Sequence, residues 1–233
     1  MKRLAIIPAR SGSKGLKDKN IIDLCGKPLM AYSIIAAQDS KLFDKIIVST
    51  DSDKYADIAE SYGAEVMMRG EELSGDKVPT FSVIEDIFKR LESETYDYFA
   101  LLQPTSPMRN AGHIIEAVKL FENNMDEFDF LVSVKESEHA GVLIKPIEED
   151  LSLKHFDTDF ANYARQKYKE YCPNGAIYLG KIDKYLERKH FYGDKSIAYI
   201  MNRLDSVDID DELDYLVATQ IMKRKEDDVR RSY

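Results

Sequence analysis

The sequence predicts an α/β fold: a mostly parallel sheet with helices on both faces. Three observations carry that expectation. Short β-branched runs alternate with longer stretches of 3.6-residue apolar period, the pattern of strands joined by crossover helices. A glycine-rich, cationic loop follows the first apolar run, where an open α/β sheet receives its ligands. The 233 residues fit one domain, residues 1–233, long enough to bury a core of its own.

The elements follow in order. Residues 4–7 are an apolar run and read as a buried strand. Residues 45–49 form a second strand, and a helix over 53–62 follows, with Ser52 as its cap and Gly63 as its end. Residues 65–68 make a short strand. Phe81, Ile84, Ile87, Phe88 and Leu91 recur at helical spacing over 80–91. A strand is expected at 98–102, a helix containing 114–121 with Ile115, Val118 and Phe121 on one stripe, and a strand at 130–134. Residues 176–179 and 197–201 have strand character, and a last helix over 211–223 carries Leu213, Leu216, Val217 and Ile221. The tail to Arg231 mixes both signs of charge and reads as a solvated helix end.

Residues 136–172 break the alternation. The stretch is polar, charged and tyrosine-rich, and too long for an ordinary connection. A disordered insertion is the alternative, given its mixed charge.

Composition narrows the function. An apolar content of 44% is ordinary for a globular protein. No apolar run approaches ~18 residues, and no signal-peptide core is present, so a cytoplasmic protein with no membrane span is expected. Cys25 and Cys172 lack metal-ligand spacing and read as reduced thiols, and four scattered histidines make no zinc pattern. A net charge of −9 argues against a nucleic-acid binder. The positive charge that does cluster lies in the loop over residues 9–20, which holds Gly12, Gly15, Arg10, Lys14, Lys17 and Lys19. Glycines admit close backbone approach and cations attract an anion, so a small phosphorylated ligand is expected. The loop is neither G-x-x-x-x-G-K-[ST] nor G-x-G-x-x-G. On glycine and charge alone, a solvated surface loop remains the alternative.

Asp208 and Asp210 flank Ile209 in an extended stretch. Residues two apart on a strand share a face, so both carboxylates project together and Ile209 turns inward. Such a pair repels unless a cation lies between, and Mg²⁺ favours hard oxygen ligands. The alternative is that they cap the helix that follows. Gln103, before Pro104, is either a site residue at a strand end or a turn residue.

Several stretches together resemble one family. Pro8-Ala9-Arg10-x-Gly12-Ser13-Lys14-Gly15, then Lys19-Asn20 and Gly26-Lys27-Pro28-Leu29, are similar to the opening of the CMP-N-acylneuraminate synthetases, the acylneuraminate cytidylyltransferases. Val48-Ser49-Thr50-Asp51, Leu102 to Arg109, Pro173 to Tyr178 and Asp205 to Asp210 match in register after it. The matches run from the first strand to the last helix.

The resemblance implies a Rossmann-like nucleotidyltransferase sheet, with residues 136–172 as a small dimerisation excursion in a homodimer. It implies that CTP activates a nine-carbon 2-keto sugar acid, whose anomeric hydroxyl attacks the α-phosphorus as pyrophosphate leaves. Arg10 and Lys19 would hold the triphosphate and stabilise the leaving group, with Ala9, Ser11, Gly12, Asn20, Arg69 and Thr80 also at the nucleotide. Asp208 and Asp210 would hold Mg²⁺, and Gln103 would face the sugar. Arg165 suits the sugar carboxylate through bidentate hydrogen bonds. Ser49 and Asp51 are expected to shape the loop rather than act in chemistry.

Two departures fall on the sugar side. Cys172-Pro173 stand where family members often have a basic residue, and Ala140 to Leu143 replace a Pro-x-Lys element. N-acetylneuraminate, legionaminate and other bacterial nonulosonates are therefore all candidate substrates. The related synthetase of the eight-carbon 3-deoxy-octulosonate typically lacks Ser13-Lys14-Gly15. A non-catalytic nucleotide-binding subunit is the rival from another class, and the presence of Arg10, Lys19, Asp208 and Asp210 speaks against it.

Overall fold

The first strand, β1 (Arg3–Pro8), shows how the fold divides. Ala5 and Ile7 point to one side and Leu4 and Ile6 to the other, all fully buried, so both faces of the sheet are covered. The computed structural model describes residues 1–91, 95–157, 159 and 169–231. After β1 come the hairpin strands β2 (Asp23–Leu24) and β3 (Lys27–Pro28), α1 (Leu29–Ser40), β4 (Lys45–Thr50), α2 (Asp53–Ser61) and β5 (Glu65–Met68). Then follow α3 (Thr80–Arg90), β6 (Tyr98–Leu101), α4 (Ala111–Glu122), β7 (Phe130–Glu136), β8 (Tyr171–Gly180), α5 (Ile182–Arg188), β9 (Ser196–Ile200) and α6 (Glu212–Arg231).

Seven strands form one sheet in the order β5-β4-β1-β6-β8-β7-β9. β1 pairs in parallel with β4 and β6, β4 with β5, and β7 with β9. β8 alone runs antiparallel, wedged between β6 and β7, because the chain returns beside β7 after the long excursion. The sheet is thus mostly parallel, as the alternating pattern predicted. Residues from α1, α2 and α4 cover the Ala5/Ile7 face, while those from α3 and α5 cover the Leu4/Ile6 face.

The structure corrects several local expectations. Ser52 stands at the start of α2 but its side chain makes no capping bond; its carbonyl takes the Tyr55 and Ala56 amides instead. On α4 the buried stripe is Ile114, Ala117, Val118 and Phe121, and Ile115 is exposed. α6 turns Ala218, Tyr215, Ile221 and Met222 toward the protein, leaving Leu213, Leu216 and Val217 68%, 52% and 43% exposed. Tyr171 and Cys172 belong to β8, opposite Glu136 and Lys135, so the excursion proper begins at Ser137. Its described residues are irregular apart from a turn of 3-10 helix at Gly141–Leu143. α1 has no apolar period because it is buried nearly all round, with eight of its residues in the interior.

Candidate active site

The loop after β1 is held by its own backbone and by β4. The Ala9 amide donates to the Ser49 carbonyl at 2.9 Å, continuing the ladder one residue past the strand. Asp51 Oδ1 and Oδ2 accept from the Ser11 amide and hydroxyl at 2.7 and 2.9 Å, so Ser49 and Asp51 do shape the loop. Asn20 is buried and donates to the Arg10 carbonyl at 2.9 Å, closing the loop at its base. Gly12 has φ +68°, a conformation other residues rarely take.

A cleft of about 390 Å³ opens beyond this loop. Arg10, Lys14, Lys19, Asn20, Arg69, Thr80, Gln103 and Asp210 are among the residues that line it. Its cations face carboxylates. Arg10 Nη2 and Lys14 Nζ lie 2.8 and 2.5 Å from the two oxygens of Asp76, and Lys19 Nζ is 2.9 Å from Asp210 Oδ1. Arg69 is buried and its Nε has no hydrogen-bond partner among the described residues. Burial holds its guanidinium below the usual value, opposed by the Asp51 carboxylate. An unfilled donor beside a cationic cleft suits a polar ligand atom.

The acidic stretch meets the loop from the far end of the chain. Ile209 is fully buried and its amide donates to the Thr105 carbonyl at 2.8 Å, so Asp208 and Asp210 stand either side of an anchored residue. They lie in an irregular segment, not a strand, and differ in exposure. Asp210 is exposed at the cleft, whereas Asp208 turns inward and does not line it. Asp208 Oδ1 is buried with no hydrogen-bond partner among the described residues. Burial pushes the Asp208 carboxyl above its ordinary value, the Asp210 and Asp214 charges add to this, and Thr105 and Lys19 oppose it.

Neither aspartate caps α6. The Asp214 carboxylate accepts from the Asp210 and Asp211 amides, and Asp211 Oδ1 from the Asp214 amide at 3.0 Å. A buried carboxylate oxygen with no partner among the described residues, beside a second carboxylate, fits a hard divalent cation. Among the described residues no group of three or more His, Cys, Asp or Glu side chains converges on such a site. A Mg²⁺ ion on this pair would therefore draw its remaining ligands from substrate oxygens and water.

Comparison with known proteins settles the family. Residues 4–223 match the model of the Cytidylyltransferase family. The chain belongs to the cytidylyltransferases. It is 47% identical over 224 residues to an N-acylneuraminate cytidylyltransferase of Escherichia coli, covering 96% of this chain and 53% of that one. It is 35% identical to the CMP-N,N'-diacetyllegionaminic acid synthase of Legionella pneumophila, covering 96% and 97% of the two chains. The chain spans about half the length of the first relatives it matches, 53% of the Escherichia coli protein and 52% of a Streptococcus agalactiae counterpart. A CMP:2-keto-3-deoxy-manno-octonic acid synthetase solved with CTP superposes with a TM-score of 0.72 over 97% of this chain and all of that one, at 14% identity. That likeness shows the shared Rossmann-like fold.

Within this cytidylyltransferase the structure gathers seven of the sequence-predicted residues around the cleft: Arg10, Lys19, Asn20, Arg69, Thr80, Gln103 and Asp210. Ala9, Ser11 and Gly12 shape the loop behind the lining. Arg165 lies outside the described residues. Two features escaped the sequence. Asp76 carries no motif, and only the folded chain sets it against Arg10 and Lys14. Gly175 has φ +74°, and a Cβ there would fall 2.5 Å from Gln103 Oε1 and 3.0 Å from Asp208 Oδ2. The glycine in the Asn174-Gly175-Ala176 stretch was the available signal.

Proposed function

We propose that the chain is a Mg²⁺-dependent enzyme that transfers CMP from CTP to a nine-carbon 2-keto sugar acid, releasing pyrophosphate. The observation that carries this reading is the meeting of a cationic glycine loop with the Asp208/Asp210 pair, Lys19 to Asp210 at 2.9 Å. The sugar's anomeric oxygen would form a bond to the α-phosphorus, and the bond from that phosphorus to the bridging β-oxygen would break. Transfer of this kind asks for alignment and charge neutralisation more than covalent help.

Arg10 and Lys19 would bind the triphosphate and meet the charge that grows on the departing pyrophosphate. Asn20, Arg69 and Thr80 would hold the nucleotide, the buried Arg69 Nε finding in it the partner it lacks among the described residues. Gln103 would orient the sugar, and Arg165 would pair with its carboxylate. Mg²⁺ on Asp208 and Asp210 would supply positive charge to polarise the α-phosphate and lower the pKa of the attacking hydroxyl.

The acceptor is a nonulosonate such as N-acetylneuraminate or legionaminate, in line with the names of the relatives. A homodimer is supported by the excursion, where Ile144, Ile147, Leu151 and Leu153 are all exposed. Among the described residues no helix is long and apolar enough to cross a membrane. A cytoplasmic location is proposed because CTP is found there.

The test is pyrophosphate release from CTP with a panel of 2-keto sugar acids, with and without Mg²⁺. Release that needs both Mg²⁺ and a nine-carbon acid supports the reading. Turnover only with the eight-carbon 3-deoxy acid would move it to the related synthetase. No release with any acid would refute it.

A further inference from the structure

The segment that carries Gln103 folds back beneath itself. The Ser106 amide donates to the Gln103 carbonyl and the Arg109 amide to the Ser106 carbonyl, each at 3.4 Å, which brings Arg109 under the strand end. Arg109 Nη2 then donates to the Gln103 carbonyl at 3.1 Å and to Ser33 Oγ at 2.6 Å. Ser33 Oγ reaches the same carbonyl at 3.2 Å, so Gln103 is clamped by two donors. Arg109 Nε donates to the Ala176 carbonyl at 3.1 Å, the residue after the glycine on which Gln103 and Asp208 both rest. One guanidinium therefore ties together the two backbone segments that meet at Gln103.

This arrangement is costly. Arg109 is only 1% exposed, no carboxylate pairs with it among the described residues, and its Nη1 has no partner. Burial pushes its pKa down to about 9, so it remains charged at neutral pH. A buried charge without a counter-ion is a poor way to stabilise a core, since an apolar side chain of similar volume often serves as well or better. Among the described residues its side-chain hydrogen bonds instead run to Ser33, to the carbonyl of the cleft residue Gln103 and to that of Ala176, which follows Gly175.

We propose that Arg109 is a positioning residue for the sugar half of the site, fixing Gln103 against Gly175 of β8. The inference rests on the reading of the chain as a CMP-sugar synthetase in which Gln103 faces the sugar acid.

A double-mutant cycle of Arg109→Met with Gln103→Ala tests it, scored by KM for the sugar acid, CTP affinity by calorimetry and melting temperature. Arg109→Met should raise the sugar KM about tenfold while CTP affinity stays within about twofold. The double variant should be no worse than Gln103→Ala, since the arginine acts through that side chain. Arg109→Lys, which keeps the charge and one donor, should recover part of the loss.

Additive penalties, or a parallel loss of CTP affinity, would overturn the proposal. If Arg109→Met does not fold, Arg109→Lys carries the cycle; if that also fails to fold, the arginine serves the fold and the proposal falls. A wild-type enzyme inactive with every acid would remove the functional reading and this inference together. An active wild type with additive variants would remove this inference alone.

Discussion

Lys19 Nζ lies 2.9 Å from Asp210 Oδ1, joining the loop after the first strand to the acidic stretch before the last helix. The backbones meet there too, since a Cβ on Gly15 would fall 2.5 Å from the Asp210 carbonyl oxygen. The close approach sets the cationic and acidic halves of the cleft against each other. Gly15 permits it because it has no side chain.

If Arg10 and Lys19 meet charge that develops on the leaving pyrophosphate, their loss should appear in the chemical step. Arg10→Ala and Lys19→Ala should each lower kcat by about 10²–10³-fold, more than KM for CTP rises. Steady-state kinetics at saturating CTP decide this, and an effect confined to KM would leave the two residues as binding groups only.

Asp208 makes a prediction about stability and pH. Its folded-state pKa is raised, so the protonated form is the one the fold favours. That contribution is complete below the ordinary aspartate value and is lost as pH rises through the raised one. Asp208→Asn should therefore melt a few degrees higher than the wild type near neutral pH, the difference fading toward acid pH. Added Mg²⁺ should raise the wild-type melting temperature and leave the variant's unchanged. A variant equally stabilised by Mg²⁺ would remove Asp208 from the metal site.

Asp76 occupies the cations that a triphosphate would need. Its carboxyl is held below the ordinary range chiefly by Lys14, with Arg10 contributing less. Asp76→Asn should tighten binding of inorganic triphosphate a few-fold, an effect that weakens as salt is added. Calorimetry measures it, and weaker binding by the variant would show that Asp76 supports the anion site.

Gly175→Ala combines backbone strain at φ +74° with a methyl group aimed at Gln103 and Asp208. We expect a loss of about 1–3 kcal/mol in denaturant unfolding. Turnover should fall further than stability alone explains, because both neighbours must move. Normal kinetics in a folded variant would show that neither side chain needs its present place.

The seven strands of the main sheet and the helices α2, α3, α4 and α6 were legible because burial repeats locally, whereas the short β2 and β3 and the helices α1 and α5 were not read. β5 was read to the residue, and β1, β4, β6 and β7 to within two at either end. The misreadings share a cause. Leu213, Leu216 and Val217 have helical spacing, yet α6 rolls so that Ala218 and Tyr215 pack inward against Leu24, Leu29 and Met108. Ile115 is apolar but faces away from the sheet that its neighbour Ile114 covers. Periodicity shows that a helix has an apolar face, but the neighbouring elements choose which face is covered.

By itself the sequence determined the α/β class, the loop with Arg10 and Lys19, the Asp208/Asp210 pair and the family they resemble. Each is written in residue types and short spacings, which act through local backbone preference and burial. Only the tertiary structure decided which of these groups meet. It put Asp76 on Arg10, Lys19 on Asp210, and Gln103 with Asp208 on Gly175. It turned Asp208 inward, set Arg109 beneath the site and assigned the capping of α6 to Asp211 and Asp214. Those relationships follow from strand order and from how closely loops can approach, and contacts between residues so far apart along the chain leave no local period to read.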